Sequence, residues 1–231
     1  MYPWGFGMVA KDPLAVSKSI QKRTGRTFHV ATRLLPRSIR HTTYVLYAFF
    51  RIADDVVDDP NPPPAAERRA ELTRIRDDAL GRKPSEDPVL RAFRDLRERY
   101  GIPAHEVEEF VAAMEADVEA TRYETYADLE AYLRGSSVAV AYMMLSVMDP
   151  DEAHRARPHA KALGEAFQLT NFLRDVREDV TEYGRIYLPR TTLERHGVSD
   201  DQVMDLAFSP GFAAAMSEEL DRTERRYRTG V

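Results

Sequence analysis

Apolar residues recur at spacings of three and four along nearly the whole chain, with little sustained alternation, so the pattern predicts helices throughout. The first covers Asp12 to Gln21. The next covers Arg37 to Asp58 and is stopped by Pro60 and the run Pro62 to Pro64, since proline lacks an amide donor and fixes φ. Helices follow over Ala65 to Leu80, ending near Gly81, and over Pro88 to Tyr100, ending at Gly101. Pro103 is placed to start another, with Val107, Phe110, Val111, Met114 and Val118 as its apolar stripe. Thr125 caps a helix from Tyr126 to Met148, closed by Pro150. One long helix is expected from Asp151 to Tyr183, with Gly184 at its end. Ser199 and Gln202 have capping-box spacing for a short helix through Leu206, and the last helix runs from Gly211 to Arg228. The proline run reads as a loop, not an interdomain linker. The expectation is therefore an all-α single domain over residues 1–231, with 1–11 disordered.

Two stretches break the amphipathic rule. In YVLYAFFRIADDVVDD, residues 44–59, a rotation of about 100° per residue puts Tyr44, Tyr47, Arg51, Asp54 and Asp58 on one face. Asp54 and Asp58 are one turn apart, which costs a helix roughly 0.2–0.5 kcal/mol in water. They also lie at the helix end where the macrodipole is negative. In LGEAFQLTNFLRDVREDVTEYGRIYLP, residues 163–189, Gly164, Gln168, Asn171, Asp175 and Asp179 share a face that Glu178 borders. Either face alone reads equally well as solvated surface. Two such faces, each with a neighbouring Arg (Arg51, Arg174) and each embedded in apolar sequence, mark function.

Composition narrows the chemistry. The 231 residues are 43% hydrophobic and 31% charged, as in a soluble globular protein, with a net charge of −5 and no concentrated basic stripe, so nucleic acid is not an expected partner. Without cysteine there is no thiolate nucleophile, disulfide or cysteine-ligated metal. No apolar run reaches membrane-spanning length, and the start lacks the layout of a signal peptide, so the expected location is cytoplasmic. Trp4 and Phe6 read as a frayed terminus, and Met8 is an alternative start.

If the two acidic faces oppose each other across a bundle, four to six oxygen ligands converge. Hard divalent cations, Mg²⁺ or Mn²⁺, suit such a set, and Mg²⁺ favours a few carboxylates plus water and phosphate oxygens. The implied ligand is a diphosphate. Metal ions and Arg stabilise charge on a departing diphosphate, and the carbocation left behind needs a dry aromatic pocket. Tyr44, Tyr47, Phe49, Phe50, Tyr132, Tyr142, Phe167 and Phe172 are available, a minority of them as cavity lining and the rest as core.

With YAFFRIADDVVDD, QLTNFLRDVREDVTEYGRIYLP, KRTGRTFHVATRLLP and YLRGSS in the same order, the chain resembles the squalene/phytoene synthase family from Ser17 onward, nearest to its prokaryotic and archaeal-type phytoene synthases. The resemblance implies an isoprenoid-synthase-type helical bundle with a central cavity. It implies head-to-head joining of two prenyl diphosphates, geranylgeranyl diphosphate for phytoene, through a cyclopropylcarbinyl diphosphate. NADPH is then not expected. The alternatives are a squalene or dehydrosqualene synthase on farnesyl diphosphate, and a catalytically silent member acting as an assembly protein. By position, Asp54, Asp58, Asn171, Asp175 and Asp179 match metal ligands. Arg51, Arg174 and Arg185 match diphosphate contacts, and Gln168 matches a cavity-side polar group. Tyr47 and Tyr132 match aromatic residues near the reacting carbons. Tyr187 falls in a loop that closes near the phosphates, and Thr27 and Phe28 fall where the family carries Ser and Phe. Members commonly continue past the position of Val231 by one or two helices, so a C-terminal truncation is expected.

Lesser signals take bland readings. His154 and His159 read as surface, and His29 and His41 as side chains outside the phosphate site. Asp55 and Asp59 read as second-line or solvated carboxylates, and Asp117 as an ordinary helix surface position. The final RTERRYR is expected to face solvent, and offers a surface that could approach a membrane and ease release of an apolar product. Oligomeric state is not encoded in these patterns.

Overall fold

The computed structural model describes residues 12–59, 61–119, 122–148, 152–207 and 209–231. The readings placed on residues 1–11 therefore lie outside the described residues. The described chain is helical throughout, with one isolated parallel bridge between Arg122 and Ile186.

Helix α1 (Pro13–Thr24) starts where Asp12 accepts the Leu14 amide and proline fills the first turn. A short α2 (Arg26–Thr32) follows after Gly25. It was not anticipated, being too brief for an amphipathic period. Gln21 fastens α2 to α1, donating to Thr32 Oγ1 at 3.1 Å while its Oε1 lies 3.1 Å from His29 Nδ1.

Helix α3 (Arg37–Val57) is the central element. Its Leu46, Ala48, Phe49 and Ala53 are fully buried. Phe49 stacks on Phe93 at 3.8 Å and tilts against Phe110. These contacts tie α3 to α5 (Pro88–Arg99) and α6 (Ala104–Asp117), with α4 (Ala65–Ala79) packed alongside. Each fully buried Phe or Leu contributes about 1.5–3 kcal/mol, so this cluster holds the bundle's first half.

The helix expected over Tyr126 to Met148 is instead three pieces. Helix α7 (Tyr126–Leu133) opens on a Thr125–Asp128 capping box. A π-helical turn, Arg134–Ala139, comes next, and α8 (Val140–Met148) completes the run. A β-carbon at Gly135 would overlap the Glu109 carbonyl, and one at Gly164 would lie 3.0 Å from the Ser137 carbonyl oxygen. The small residues thus let the π turn press onto α6 and α9.

The long helix expected from Asp151 to Tyr183 is broken at Asp175 (φ −101°, ψ 12°), giving α9 (Ala153–Arg174) and α10 (Val176–Tyr183). Gly184 ends α10 in the left-handed conformation at φ 62°. Next come the unforeseen α11 (Arg190–Arg195) and then α12 (Asp200–Met204), which has the anticipated Ser199–Gln202 capping box. A second core cluster, including Val180, Ile186, Leu193, Val198 and Ala215, holds this part.

Helix α13 (Pro210–Gly230) does not stand free in solvent as its Arg-rich sequence suggested. It lies along α9, burying Ala215, Glu219, Thr223 and Gly230. Arg226 pairs with the buried Glu165 at 3.0 Å and with Glu130 at 3.0 Å. Arg222 covers the Tyr126 ring at 3.9 Å. No helix among the described residues is long and apolar enough to cross a membrane.

Candidate active site

The face of α3 turned away from Phe49 carries Thr43, Tyr47, Phe50, Arg51, Asp54 and Asp58 into a cavity of about 590 Å³. From α9 and α10 come Gln168, Asn171, Phe172, Arg174, Asp175, Glu178, Asp179 and Tyr183. The two acidic stretches, far apart in sequence, therefore border one space. The same cavity is lined by Tyr132, Ser136, Val140 and Met144, four residues apart each time. Four-residue steps on an α-helix drift by about 40° each, and the wider π turn takes up that drift.

The cavity lining is of two kinds. Leu46, Phe50, Phe110, Met114, Val140 and Met144 are apolar. Among the carboxylates, burial first and then the Asp58 charge push Asp54 up to about 7. Burial and Asp175 push Asp179 up to about 7. Asp58 is also raised by burial, with Arg185 opposing. Burial lowers the Arg51 guanidinium, but Asp55, Asp54 and Asp58 outweigh it and the net shift is upward. The local cations are too few for the carboxylates. Arg51 is held by Asp55 at 2.7 Å and Arg174 by Asp175 at 2.5 Å, which leaves Arg185 as the cation shared across the site.

Arg185 is buried. It donates to Asp58 at 3.3 Å, to the Val57 carbonyl at 3.2 Å and to the Asp117 carbonyl at 3.0 Å. Its neighbour Tyr187 stacks on Phe172 at 3.9 Å, and Tyr123 and Tyr132 complete an aromatic wall. Phe28 stacks on Tyr47 at 5.6 Å and lines the cavity while remaining 45% exposed. Gly25 permits this, since a β-carbon there would meet the Tyr47 hydroxyl at 2.5 Å.

All the anticipated residues except Thr27 line this cavity; Thr27 is exposed on α2. Asp117, read as a surface residue, is 5% exposed, lines the cavity and accepts the Tyr132 hydroxyl at 2.5 Å. Its signal was present: Asp117 continues the Phe110–Met114 stripe at spacings of four and three, so it belongs to the apolar face of α6. Ser136 and Tyr183 were also missed. Of the eight aromatic residues considered, Tyr47, Phe50, Tyr132 and Phe172 line the cavity, whereas Phe167 is 58% exposed against Tyr227.

The expected convergent cage is not preformed. Among the described residues no three His, Asp or Glu side chains stand close enough to hold one ion. Paired carboxylates on opposite walls, short of cations and pushed upward by one another, instead fit ions held by one or two protein oxygens each, with a polyanion between them.

The site is thus one cavity in a helical bundle, lined by carboxylates from α3, α9 and α10 together with apolar and aromatic side chains. The squalene/phytoene synthase family profile matches residues 21–231, and the chain belongs to that family. It is 36% identical over 183 residues to a phytoene synthase of Mycobacterium bovis, covering 79% of this chain and 59% of that protein. It is 31% identical over 234 residues to a phytoene synthase of Rhodobacter capsulatus, covering 97% of this chain and 67% of that protein. The chain thus spans roughly three fifths to two thirds of these relatives' length. A dehydrosqualene synthase crystal structure superposes with TM-score 0.82 at 29% identity, covering 96% of this chain and 76% of the other. Squalene synthase HpnC from Alicyclobacillus acidocaldarius gives 0.83 at 25% identity, covering 96% and 82%. The fold is the all-α bundle of these enzymes.

Proposed function

We propose that the chain joins two prenyl diphosphates head to head, geranylgeranyl diphosphate to phytoene, with release of diphosphate. The observation that carries this is the single cavity bordered by carboxylates from α3 and from the α9–α10 junction, with an apolar and aromatic remainder. Asp54 and Asp58 on one wall, with Asn171, Asp175 and Asp179 on the other, would hold Mg²⁺ or Mn²⁺. When bound, the ions neutralise the diphosphate and stabilise the charge that develops as it leaves. Arg51, Arg174 and Arg185 supply further positive charge around the diphosphate. Gln168 offers a polar contact on the same wall. The faces of Tyr47, Phe50, Tyr132 and Phe172 attract a carbocation through their quadrupoles, and the apolar lining excludes the water that would quench it. Phytoene is formed without reduction, so NADPH is not required.

A squalene-type product from farnesyl diphosphate is the second reading, favoured by the likeness to dehydrosqualene and squalene synthase structures. A silent assembly protein is disfavoured, because every motif aspartate is present. Incubation with Mg²⁺ and either C20 or C15 diphosphate, followed by mass analysis, separates these. Phytoene from the C20 substrate supports the first reading, a C30 product alone supports the second, and no product from either rejects both.

Peripheral membrane contact belongs to the same reading, but α13 is spent on α9. Helix α2 exposes Val30, and Leu34 is exposed just past its end, in a stretch, Pro13 to Ala53, that has Lys18, Lys22, Arg23, Arg26, Arg33 and Arg37 but no carboxylate. Such a face suits an anionic lipid surface, and sedimentation with anionic but not neutral vesicles would test it.

A further inference from the structure

Asp117 is the last residue of α6, and its two carboxylate oxygens are treated differently. Oδ2 accepts the Tyr132 hydroxyl at 2.5 Å. Oδ1 is buried with no hydrogen-bond partner. Arg185 does not neutralise the carboxylate by a hydrogen bond, for its Nη2 donates to the Asp117 backbone carbonyl at 3.0 Å. A buried carboxylate oxygen left unpaired is costly and calls for an explanation. The surroundings are phenolic: the Tyr123 ring lies 5.3 Å and the Tyr187 ring 5.9 Å from that of Tyr132, and the Tyr123 hydroxyl is also buried without a partner. Asp117 and Tyr132 both line the cavity.

The direction of the Tyr132–Asp117 bond matters. With its O–H committed to Asp117, the Tyr132 oxygen keeps only lone pairs for other neighbours. A phenol that donates to a carboxylate carries more negative charge on oxygen than a free one. A cation that ends as a neutral hydrocarbon must lose a proton, and a neutral phenol by itself is a weak acceptor.

We propose that Asp117 is a positioning residue and proton sink for Tyr132: it fixes the phenol with its lone pairs available to the reacting carbons and takes the phenolic proton as Tyr132 accepts one from the carbocation. This rests on the prenyl diphosphate reading above. In the step a C–H bond breaks and its electron pair forms the new carbon–carbon bond. The proton passes to the Tyr132 oxygen while the phenolic proton passes to Asp117 Oδ2, leaving a neutral carboxylic acid. The proton departs to the released diphosphate or to water, and no oxidant or reductant is needed. Burial raises Asp117 to about 6, with the Tyr132 bond and Arg185 pulling down and Asp58 pushing up, which suits a group that exchanges a proton near neutrality.

Asp117→Asn retains the size and an acceptor for the Tyr132 hydroxyl but cannot take the proton. With geranylgeranyl or farnesyl diphosphate and Mg²⁺, kcat should fall about 10²-fold, with KM changed no more than about threefold. Tyr132→Phe should fall similarly, and the double variant should be no slower than the slower single one, because the two residues act in series. The charged and titratable groups facing Asp117 are Tyr132 of α7, Tyr123 before it, Arg185 and Tyr187 after α10, and Asp54 and Asp58 of α3. Losses that add in the double variant, or an unchanged kcat in Asp117→Asn beside an active wild type, overturn the relay alone. If Asp117→Asn does not fold, an unchanged kcat in Tyr132→Phe overturns it. A wild-type chain without turnover sinks the parent reading and the relay together.

Discussion

Arg185 and Asp58, 127 positions apart in the chain, meet at 3.3 Å. The contact joins the end of α3 to the segment after α10, so the two acidic walls are tied by a cation that also caps the Val57 and Asp117 carbonyls. Removing one partner of such a pair leaves the other buried and uncompensated. Arg185→Met should therefore destabilise the protein by about 3 kcal/mol, allowing for the partial exposure of Asp58. Arg185→Lys should cost less, since it keeps the charge and loses the fork. Urea unfolding of the three proteins measures this, and equal midpoints would show that the walls are held by other contacts.

The carboxylate walls predict a ligand-dependent stability. Mg²⁺ and inorganic pyrophosphate together should raise the melting temperature of the wild type, by about 2.7 kcal/mol of stability at a hundredfold excess over Kd. Asp54→Asn and Asp175→Asn should lose that response and lose turnover, with unchanged far-UV circular dichroism. Full activity in either variant would remove the metal assignment.

Much of this site was legible because it follows helical arithmetic. Tyr47, Arg51, Asp54 and Asp58 share a face at intervals of four, three and four, and α3 is regular almost to Asp58. What escaped is where local pattern gives way to distant contacts. The turn at Arg134–Ala139 is π-helical because Gly135 and its serine neighbours let α6 and α9 approach, and neither helix is near it in sequence. The break at Asp175 leaves Asp175 and Asp179 both on the cavity, so the face survived although the helix did not. Asp117 read as surface because its partner Tyr132 lies 15 positions later. Helix α13 read as solvent-facing because the Glu165 that neutralises Arg226 sits on another helix.

Arg122 fastens the second half of the molecule. It donates through Nε and Nη2 to Asp200, the latter at 2.7 Å, and through Nη1 to the Tyr123 and Leu188 carbonyls, while Arg190 meets Asp200 at 2.7 Å. The hydrogen bond from Arg122 holds Asp200 below the usual carboxylate range. A depressed carboxylate stabilises the fold above its unfolded pKa and loses that contribution as pH falls through its native value. Asp200→Asn should cost about 1–2 kcal/mol at pH 7, discounted for partial exposure. The gap from wild type should close below about pH 4. Denaturant titrations at pH 7 and at acid pH test this, and a gap that does not change with pH would refute the ion-pair account.

The π turn makes the last prediction. A β-carbon at Gly135 would overlap the Glu109 carbonyl oxygen and lie 2.7 Å from the Ala113 side chain. Backbone on α6 cannot yield as a flexible side chain would, so Gly135→Ala must push α6 and the turn apart. Overpacking of this kind costs about 1–3 kcal/mol. The same displacement would move Ser136 and Val140, which line the cavity. Gly135→Ala should accordingly lower both the melting temperature and the turnover of prenyl diphosphate, while Mg²⁺ and pyrophosphate still stabilise it, because the carboxylates sit on α3, α9 and α10. Gly101→Ala is the control for a substitution that strains only a loop: its φ is 61° and a β-carbon there meets nothing within 4 Å. It should lower stability through backbone strain alone and leave turnover intact. Equal loss of turnover in the two variants would mean that the π turn has no special part in shaping the cavity.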